Sequence, residues 1–503
     1  MPKSIMIQGT GSGVGKSLIA AGLCRIFAKD MGLAVAPFKA QNMALNSFVT
    51  ADGGEIGTAQ ATQAAAAGIA PSVYMNPILL KASGESGSQV IVLGKVAKTM
   101  QAAEFYANKE IFWGAVTHAW DELSAAYEFI VIEGAGSPAE INLMDREIVN
   151  MAVARHTGSP VILVGDIDRG GVFASLYGTA ALLNDEDARL IKAFIINKFR
   201  GDINILLPGN KLIEDRTGIP VIGVLPYVTD MGLPEEDGLV LDTRAKGRAA
   251  GSSHASIKIT VLRHKYISNF TDFQPFQYEQ DVELVISRRP EDIINTDLII
   301  IPGSKNTIAD LTILREAGLD KIIKQAVNKG IPLIGLCGGY QMLGRTIEDP
   351  MRIESAEVKV PGLCLLDTAT VFNETKTTRQ VIAETAAGQI PYVKNAHSAL
   401  TGYEIHMGQT AGAGTDTPAF VIGGNQDNDG AVKNGVWGTY IHGIFDNDAF
   451  RRDLINGLRQ RKGLPPLETP VIYAAEKDAA IDRLAELLKS NLNMDFIYAL
   501  AGL

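Results

Sequence analysis

Short runs of consecutive apolar residues punctuate this chain, separated by longer amphipathic or polar stretches. Ser4-Ile5-Met6-Ile7-Gln8, Leu33–Phe38, Phe129–Ile132, Val161–Val164, Ala193–Lys198 and Val221–Pro226 form one series; Ile257–Val261, Asp297–Ile301 and Ile331–Ile334 form a second. A strand that is apolar at every position has both faces covered, which predicts a parallel sheet between helical layers. Leu18–Lys29 reads as the helix after the first strand. Between the two series, residues 231–256 trade apolar periodicity for charge, glycine and serine. The boundary is therefore expected there, with one domain over 1–235, a linker over 236–255 and a second domain over 256–503. Residues 450–503 read as helical, amphipathic over 478–491, and are expected to pack on the second half. No repeat or low-complexity tract interrupts the pattern, and no apolar stretch reaches the roughly 18 residues that suggest a membrane span.

The polar segments at the strand ends carry the chemistry. The first strand runs into Gly9-Thr10-Gly11-Ser12-Gly13-Val14-Gly15-Lys16-Ser17. In such a loop successive backbone N–H groups and the start of the next helix cradle phosphates, so Gly11, Ser12, Gly13, Val14, Gly15, Lys16 and Ser17 are candidate ATP ligands. Lys16 would neutralise the outer phosphates, and Ser17 would ligate magnesium. Lys39, after the second strand, and Glu133, after the third, lie where open parallel sheets gather ligands. Glu133 offers the hard oxygen that Mg2+ prefers; Asp166 and Arg169 occupy a comparable strand end. The glycine that usually opens a P-loop is displaced by one residue, with Thr10 in its place. That longer loop resembles dethiobiotin synthetase, which implies ATP-dependent activation of a carboxyl-type group.

In the second series, Ile331-Pro332-Leu333-Ile334 leads into Gly335-Leu336-Cys337-Gly338-Gly339. A cysteine at a glycine-flanked strand-to-helix turn is pushed out of the sheet beside helix N–H groups, the setting of a nucleophile. His442, near the end of a strand-like run, is the candidate base, with His406 as runner-up. The Cys and His segments resemble the class I glutamine amidotransferases. That resemblance implies an oxyanion hole from the backbone around Gly303 and Ser304 with the Gly338 N–H. Most of that class carries a glutamate two residues after the histidine, where this chain has Ile444. Either another carboxylate, with Asp446 and Glu404 as candidates, orients the imidazole, or the site works as a Cys-His dyad.

Taken together, the halves predict an α/β protein: an N-terminal P-loop NTPase domain of dethiobiotin-synthetase type, mainly parallel, joined to a C-terminal class I glutamine amidotransferase-like α/β domain. Phe38-Lys39-Ala40-Gln41-Asn42-Met43, Gly54–Gln60, Glu133–Pro138, Gly165–Gly171, Pro302–Thr307 and Gly402–His406 are long, ordered signatures across nearly the whole chain. In them the chain resembles the cobyric acid synthase family, which also lacks the glutamate after the histidine. The resemblance implies ATP- and glutamine-dependent amidation of the b, d, e and g carboxylates of adenosylcobyrinic acid a,c-diamide, through an acyl phosphate and released ammonia, to give adenosylcobyric acid in cobalamin biosynthesis. The alternatives are a cobyrinic acid a,c-diamide synthase or related amidotransferase, and, in a different class, a P-loop ATPase switch that binds a protein partner. Such a switch needs no cysteine elbow.

Composition narrows this picture only modestly. With 46 Lys plus Arg against 56 Asp plus Glu among 503 residues, the formal net charge is -10. That argues against a nucleic-acid surface, and a polycarboxylate must be held by local positive groups. The expected partners are small molecules, namely a corrinoid, glutamine and ATP, with no nucleic acid and no membrane; a homo-oligomer is compatible. Cys24, Cys337 and Cys364 cannot form a disulfide framework, which fits a reducing compartment. Met1-Pro2-Lys3 passes straight into the first strand, leaving no signal peptide, so the expected location is the cytoplasm. No Cys/His set has zinc-ligand spacing, leaving magnesium as the expected metal.

Overall fold

The computed structural model describes residues 2–82, 87–229, 231–233, 256–386, 390–412, 416–423 and 427–503. The expected linker over 236–255 lies outside the described residues. All six apolar runs of the first series are strands of one parallel sheet, in the order Val221–Pro226, Ile191–Phe199, Val161–Asp166, Lys3–Gly9, Phe129–Glu133, Val35–Phe38. The first strand is central, with later strands added on both sides. Its carboxyl end therefore lies where the winding reverses, the place at which such sheets open a ligand crevice.

The second sheet runs Val282–Ser287, Ile257–Leu262, Leu298–Ile301, Leu333–Leu336, Val436–Thr439, Ala431–Lys433, parallel except for the last, antiparallel edge strand. Leu298, Ile299, Ile300, Leu333 and Ile334 are fully buried, as a sheet covered on both faces requires.

Among the described residues, three of the β-elements outside the continuous apolar runs are partly polar and position the site. One is a small sheet of Gln41–Met43, Ile78–Ala82, Ser88–Val92 and Lys95–Met100. Another is the hairpin of Ser47–Val49 with Glu55–Gly57. The third is a long antiparallel pair, Thr368–Thr385 with Leu400–Gly412. The second and third meet across the halves: Val49 packs with Tyr403 and Ile405, the Tyr403 hydroxyl donates to Ser47 O at 3.0 Å, and Gln380 donates to Val49 O.

One packing expectation is corrected. Helix Asp448–Arg461 does pack on the second half, through Phe450, Leu454, Ile455 and Leu458. The next helix, Tyr473–Asn491, returns to the first: Ala480, Ile481, Leu484 and Leu488 pack in the same cluster as Ala20, Ala21 and Leu23 of helix Lys16–Arg25. The approach is so close that a Cβ on Gly22 would lie 2.4 Å from Leu488 Cδ1. Arg25 pairs with Asp478, and Lys29 with Asp482 at 2.8 Å. Periodicity reveals that a helix has an apolar face and not which neighbour covers it.

Buried ion pairs tie helix Asp448–Arg461 to the segment around residue 280. Arg451 bonds Glu279 at 2.8 Å, Arg452 bonds Glu279 and Asp281, and Arg459 bonds Asp281 at 2.9 Å. Such pairs lend specificity of register more than net stability. In this fold they lock together the two chain segments that follow Asp272 and His442.

Candidate active sites

Cys337 stands at the turn between strand Leu333–Leu336 and helix Gly338–Leu343, with φ 50° and ψ -110°. A side chain is rarely tolerated at that positive φ, so the turn is held by its surroundings. Glycine around it is required by close approach. A Cβ on Gly339 would sit 2.0 Å from Ile301 O, one on Gly335 2.8 Å from the Gly339 backbone, and one on Gly338 2.9 Å from Ser304 N. The last distance sets the Gly338 and Ser304 backbones side by side, next to Cys337. Gly303 stands by His442, whose Cε1 would be 3.5 Å from a Cβ there. The predicted oxyanion residues and the Cys-His pair thus converge on one pocket, lined by Cys337, His442, Ser304 and Gln341 among others.

His442 lies just beyond strand Val436–Thr439 and is bridged to Tyr403, with His442 N donating to Tyr403 O at 2.8 Å and Tyr403 N to His442 O at 3.1 Å. The Tyr403 ring stacks over the imidazole at 5.3 Å. His442 Nδ1 donates to Asp272 Oδ2 at 2.7 Å, while Asp272 Oδ1 accepts from Gly443 N at 2.9 Å. Asp272 is buried on the single 3-10 turn Phe270–Phe273. It occupies the orienting position for which sequence reading offered Asp446, Glu404 or nothing. Glu404 is instead engaged by Arg379 and lies 3.6 Å from His406. Asp446 is pushed up to about 7, burial being the main cause, and has Lys477 as its charge partner. Burial opposes a charged imidazole at His442, but the charge and hydrogen bond of Asp272, with the Cys337 thiol, outweigh it and raise the pKa to about 10. His442 Nε2 is buried without a hydrogen bond, and the Cys337 thiol contacts Ile405 O at 3.8 Å. His406 lines the same pocket, stacked on Tyr440 at 3.8 Å with Nδ1 against Gly408 O.

Charged groups that the sequence reading did not single out ring this pocket. Lys305 faces it with its pKa lowered by burial, close enough to Glu354 and Cys337 to feel both. Glu354 Oε2 accepts from Thr307 N at 3.1 Å, and burial pushes its carboxyl up to about 7. Lys81 and Lys376, from opposite halves, both bond buried Glu55. Their charges hold that carboxyl well below the usual range against its burial.

At the other site the phosphate loop joins strand Lys3–Gly9 to helix Lys16–Arg25. Gly13 and Gly15 take left-handed φ values of 72° and 101°, so that neighbouring amides turn inward. Lys16 Nζ folds back on Gly11 O at 2.8 Å and Gly136 O at 3.2 Å. Glu133 Oε1 accepts from Ser17 Oγ at 2.7 Å and from Lys39 Nζ at 2.9 Å, and Gln63 donates to Oε2 at 2.6 Å. All of the predicted residues meet here. One buried carboxylate beside one hydroxyl, facing the loop, is the sparse oxygen set that fits Mg2+, an ion that keeps waters and takes phosphate oxygens for its other positions. Gln60 and Gln63 of helix Thr58–Ala66, and Asn197 and Lys198, which bond Val14 O and Gly13 O, complete the wall. Asp166, at a strand end, pairs with Lys198 at 3.2 Å.

Comparison with known proteins gives two family matches. Residues 5–240 match the CobQ/CobB/MinD/ParA nucleotide binding domain, and residues 258–450 match the CobB/CobQ-like glutamine amidotransferase domain. The chain is 49% identical to the cobyric acid synthase of Thermodesulfovibrio yellowstonii, over 100% of both chains. It is 48% identical to that of Citrobacter koseri, over 99% of this chain and 98% of that one. A solved structure of PurLQS from Thermotoga maritima is similar at 14% identity and a TM-score of 0.32, over 41% of this chain and 99% of that one.

Proposed function

This chain belongs to the cobyric acid synthase family, and from that membership we propose how its two sites divide the reaction. The enzyme is an amidating ligase that takes nitrogen from glutamine in cobalamin biosynthesis and uses ATP. Its substrate in this proposal is adenosylcobyrinic acid a,c-diamide, amidated at the b, d, e and g carboxylates, and its location is the cytoplasm, where Cys337 stays a thiol. The observation that carries the reading is the hydrogen bond between His442 and Asp272 beside the Cys337 elbow.

At the glutaminase site the Cys337 proton rests on His442 as an imidazolium, as the raised pKa of that ring requires, and the thiolate sulfur attacks the glutamine side-chain amide carbon. The Gly338 and Ser304 backbone N–H groups, with the Gly303 turn, stabilise the oxyanion, each donor lowering the barrier by about 3 kcal/mol. The imidazolium returns its proton to the leaving ammonia, and water then hydrolyses the thioester, restoring the thiol. Lys305 and Glu354 match the α-carboxylate and α-ammonium of glutamine. At the synthetase site Gly11 to Ser17 hold ATP. Lys16 and Lys39 balance the charge that builds on the phosphoryl group as it passes to a substrate carboxylate. Ser17 and Glu133 would hold Mg2+, which supplies further positive charge there. Ammonia then displaces phosphate from the acyl phosphate, giving the amide.

Asp272→Asn is expected to lower glutamine hydrolysis by about 10² to 10⁴-fold. The asparagine oxygen can keep the Gly443 bond, but its NH2 would face Nδ1 and force the proton onto Nε2, where the base must be free. Because Asp272 raises the His442 pKa, the imidazolium persists to about pH 10 in the parent. The alkaline limb of the pH profile should therefore move toward lower pH in the variant. An unshifted limb with parent turnover would return the site to a dyad. The proposed function as a whole is tested by ADP release, which should require the corrinoid and glutamine together; ADP release that ignores the corrinoid would refute it.

A further inference from the structure

The hairpin that the first half presses against the second opens at Ser47, directly after Asn46, and the contacts of these two residues are not used by the chemistry above. Asn46 Oδ1 accepts from Phe270 N at 3.0 Å, and Asn269 Oδ1 accepts from Ser47 N at 3.0 Å. Each asparagine thus grips the backbone beside the other, across the contact between halves. Ser47 is held at two further atoms, its carbonyl by the Tyr403 hydroxyl at 3.0 Å and its own hydroxyl by Lys81 at 2.9 Å. Asn46, Ser47 and Asn269 are all buried.

These bonds fall on the turn that aims the imidazole. Asn269 caps the 3-10 turn Phe270–Phe273 from the left-handed region, at φ 52° and ψ 43°. Phe270 N is the first amide of that turn, a donor that no helical carbonyl can satisfy. Its acceptor comes from the other half of the protein. Two residues on, the same turn carries Asp272, which bonds His442 Nδ1 and Gly443 N.

We propose that Asn46 is a positioning residue for glutamine hydrolysis: its side chain accepts from Phe270 N while Asn269 holds the neighbouring Ser47 N, and together these bonds set the turn that aims Asp272 at His442. The proposal rests on the reading of Cys337 and His442 as the glutaminase pair. Its consequence is that the glutaminase site is complete only while the hairpin is docked. The segment that delivers Asn46 begins at Lys39, which pairs with Glu133 at the phosphate loop, so a single stretch of backbone joins both sites. One neutral hydrogen bond contributes little to folding beside the whole of the packed interface. A displacement of the imidazole by about 1 Å, by contrast, can cost on the order of a hundredfold in rate. The role should accordingly register in catalysis and hardly in stability.

Asn46→Ala and Asn269→Gly test this in the full-length enzyme. Glycine adopts the left-handed backbone without strain, so the second variant removes only the side-chain acceptor. Each should lower kcat for glutamine hydrolysis by about 10- to 100-fold. KM for glutamine should hold, since Lys305 and Glu354 are untouched. The alkaline limb of the pH profile should move toward lower pH, as it does when Asp272 is lost. Amidation driven by ammonium chloride should run at the parent rate. Parent kcat and an unmoved limb, or equal losses with glutamine and ammonium, would overturn the proposal and leave the clasp a structural contact. A parent enzyme unable to hydrolyse glutamine would instead sink the underlying reading, so the two failures are distinct.

Discussion

Cys337→Ala is expected to make no amide from glutamine, yet to form product from concentrated ammonium salt at alkaline pH. In the proposed mechanism the thiol serves only to break the glutamine amide bond. In the same mechanism the acyl phosphate forms at the phosphate loop, among Lys16, Lys39 and Glu133, while Cys337 sits in the other pocket, against Ile405 O. Free NH3 can attack that acyl phosphate, whereas the ammonium ion has no lone pair, hence the need for alkaline pH. Rescue should require high concentrations, because nitrogen from solution lacks the effective concentration of a donor released inside the same molecule. Rates of amide formation with each nitrogen source read this directly. If a folded variant that still binds ATP makes nothing from ammonium, Cys337 has a part in the synthetase step and the division between sites fails.

Lys16→Ala should have the complementary effect, removing amide formation from both nitrogen sources by about 10³-fold or more while slow glutamine hydrolysis continues. The ammonium group is buried at the loop and donates to the carbonyls of Gly11 and Gly136. It is the one lysine within the loop itself, while Lys39 and Lys198 reach the site from other elements. Comparing glutamate release with amide formation separates the two chemistries. Amidation near the parent rate would mean that the nucleotide binds elsewhere.

The sheets were legible because burial on both faces leaves a mark that survives without any partner being known. A run such as Val161–Val164 or Ile331–Ile334 reads as a central strand whatever packs on it. The elbow and the phosphate loop were legible because each concentrates glycine and one reactive side chain within a few residues. Asp272 left no such mark. It is a lone acid on a single turn, far from both Cys337 and His442 in sequence, and only the packing of that turn against the strand end after Thr439 brings it to Nδ1. The same holds for Asn46 and Asn269, ordinary polar residues until the halves dock. The strands of the long pair, Thr368–Thr385 and Leu400–Gly412, are half polar because one face is wet, and their threonines and valines were the available signal. For helix Tyr473–Asn491 the apolar face was evident and its partner was not, since the small-residue surface of helix Lys16–Arg25 lies at the far end of the chain.

In the proposed reaction one chain couples ATP-driven carboxylate activation to nitrogen release from glutamine on a corrinoid. The measurement that bears on it most directly is the mass of adenosylcobyrinic acid a,c-diamide after incubation with the enzyme, ATP, Mg2+ and glutamine. Stepwise exchange of acid for amide at the b, d, e and g positions, each step accompanied by ADP and glutamate, is the predicted result; a corrinoid of unchanged mass while glutamine and ATP are consumed would contradict it.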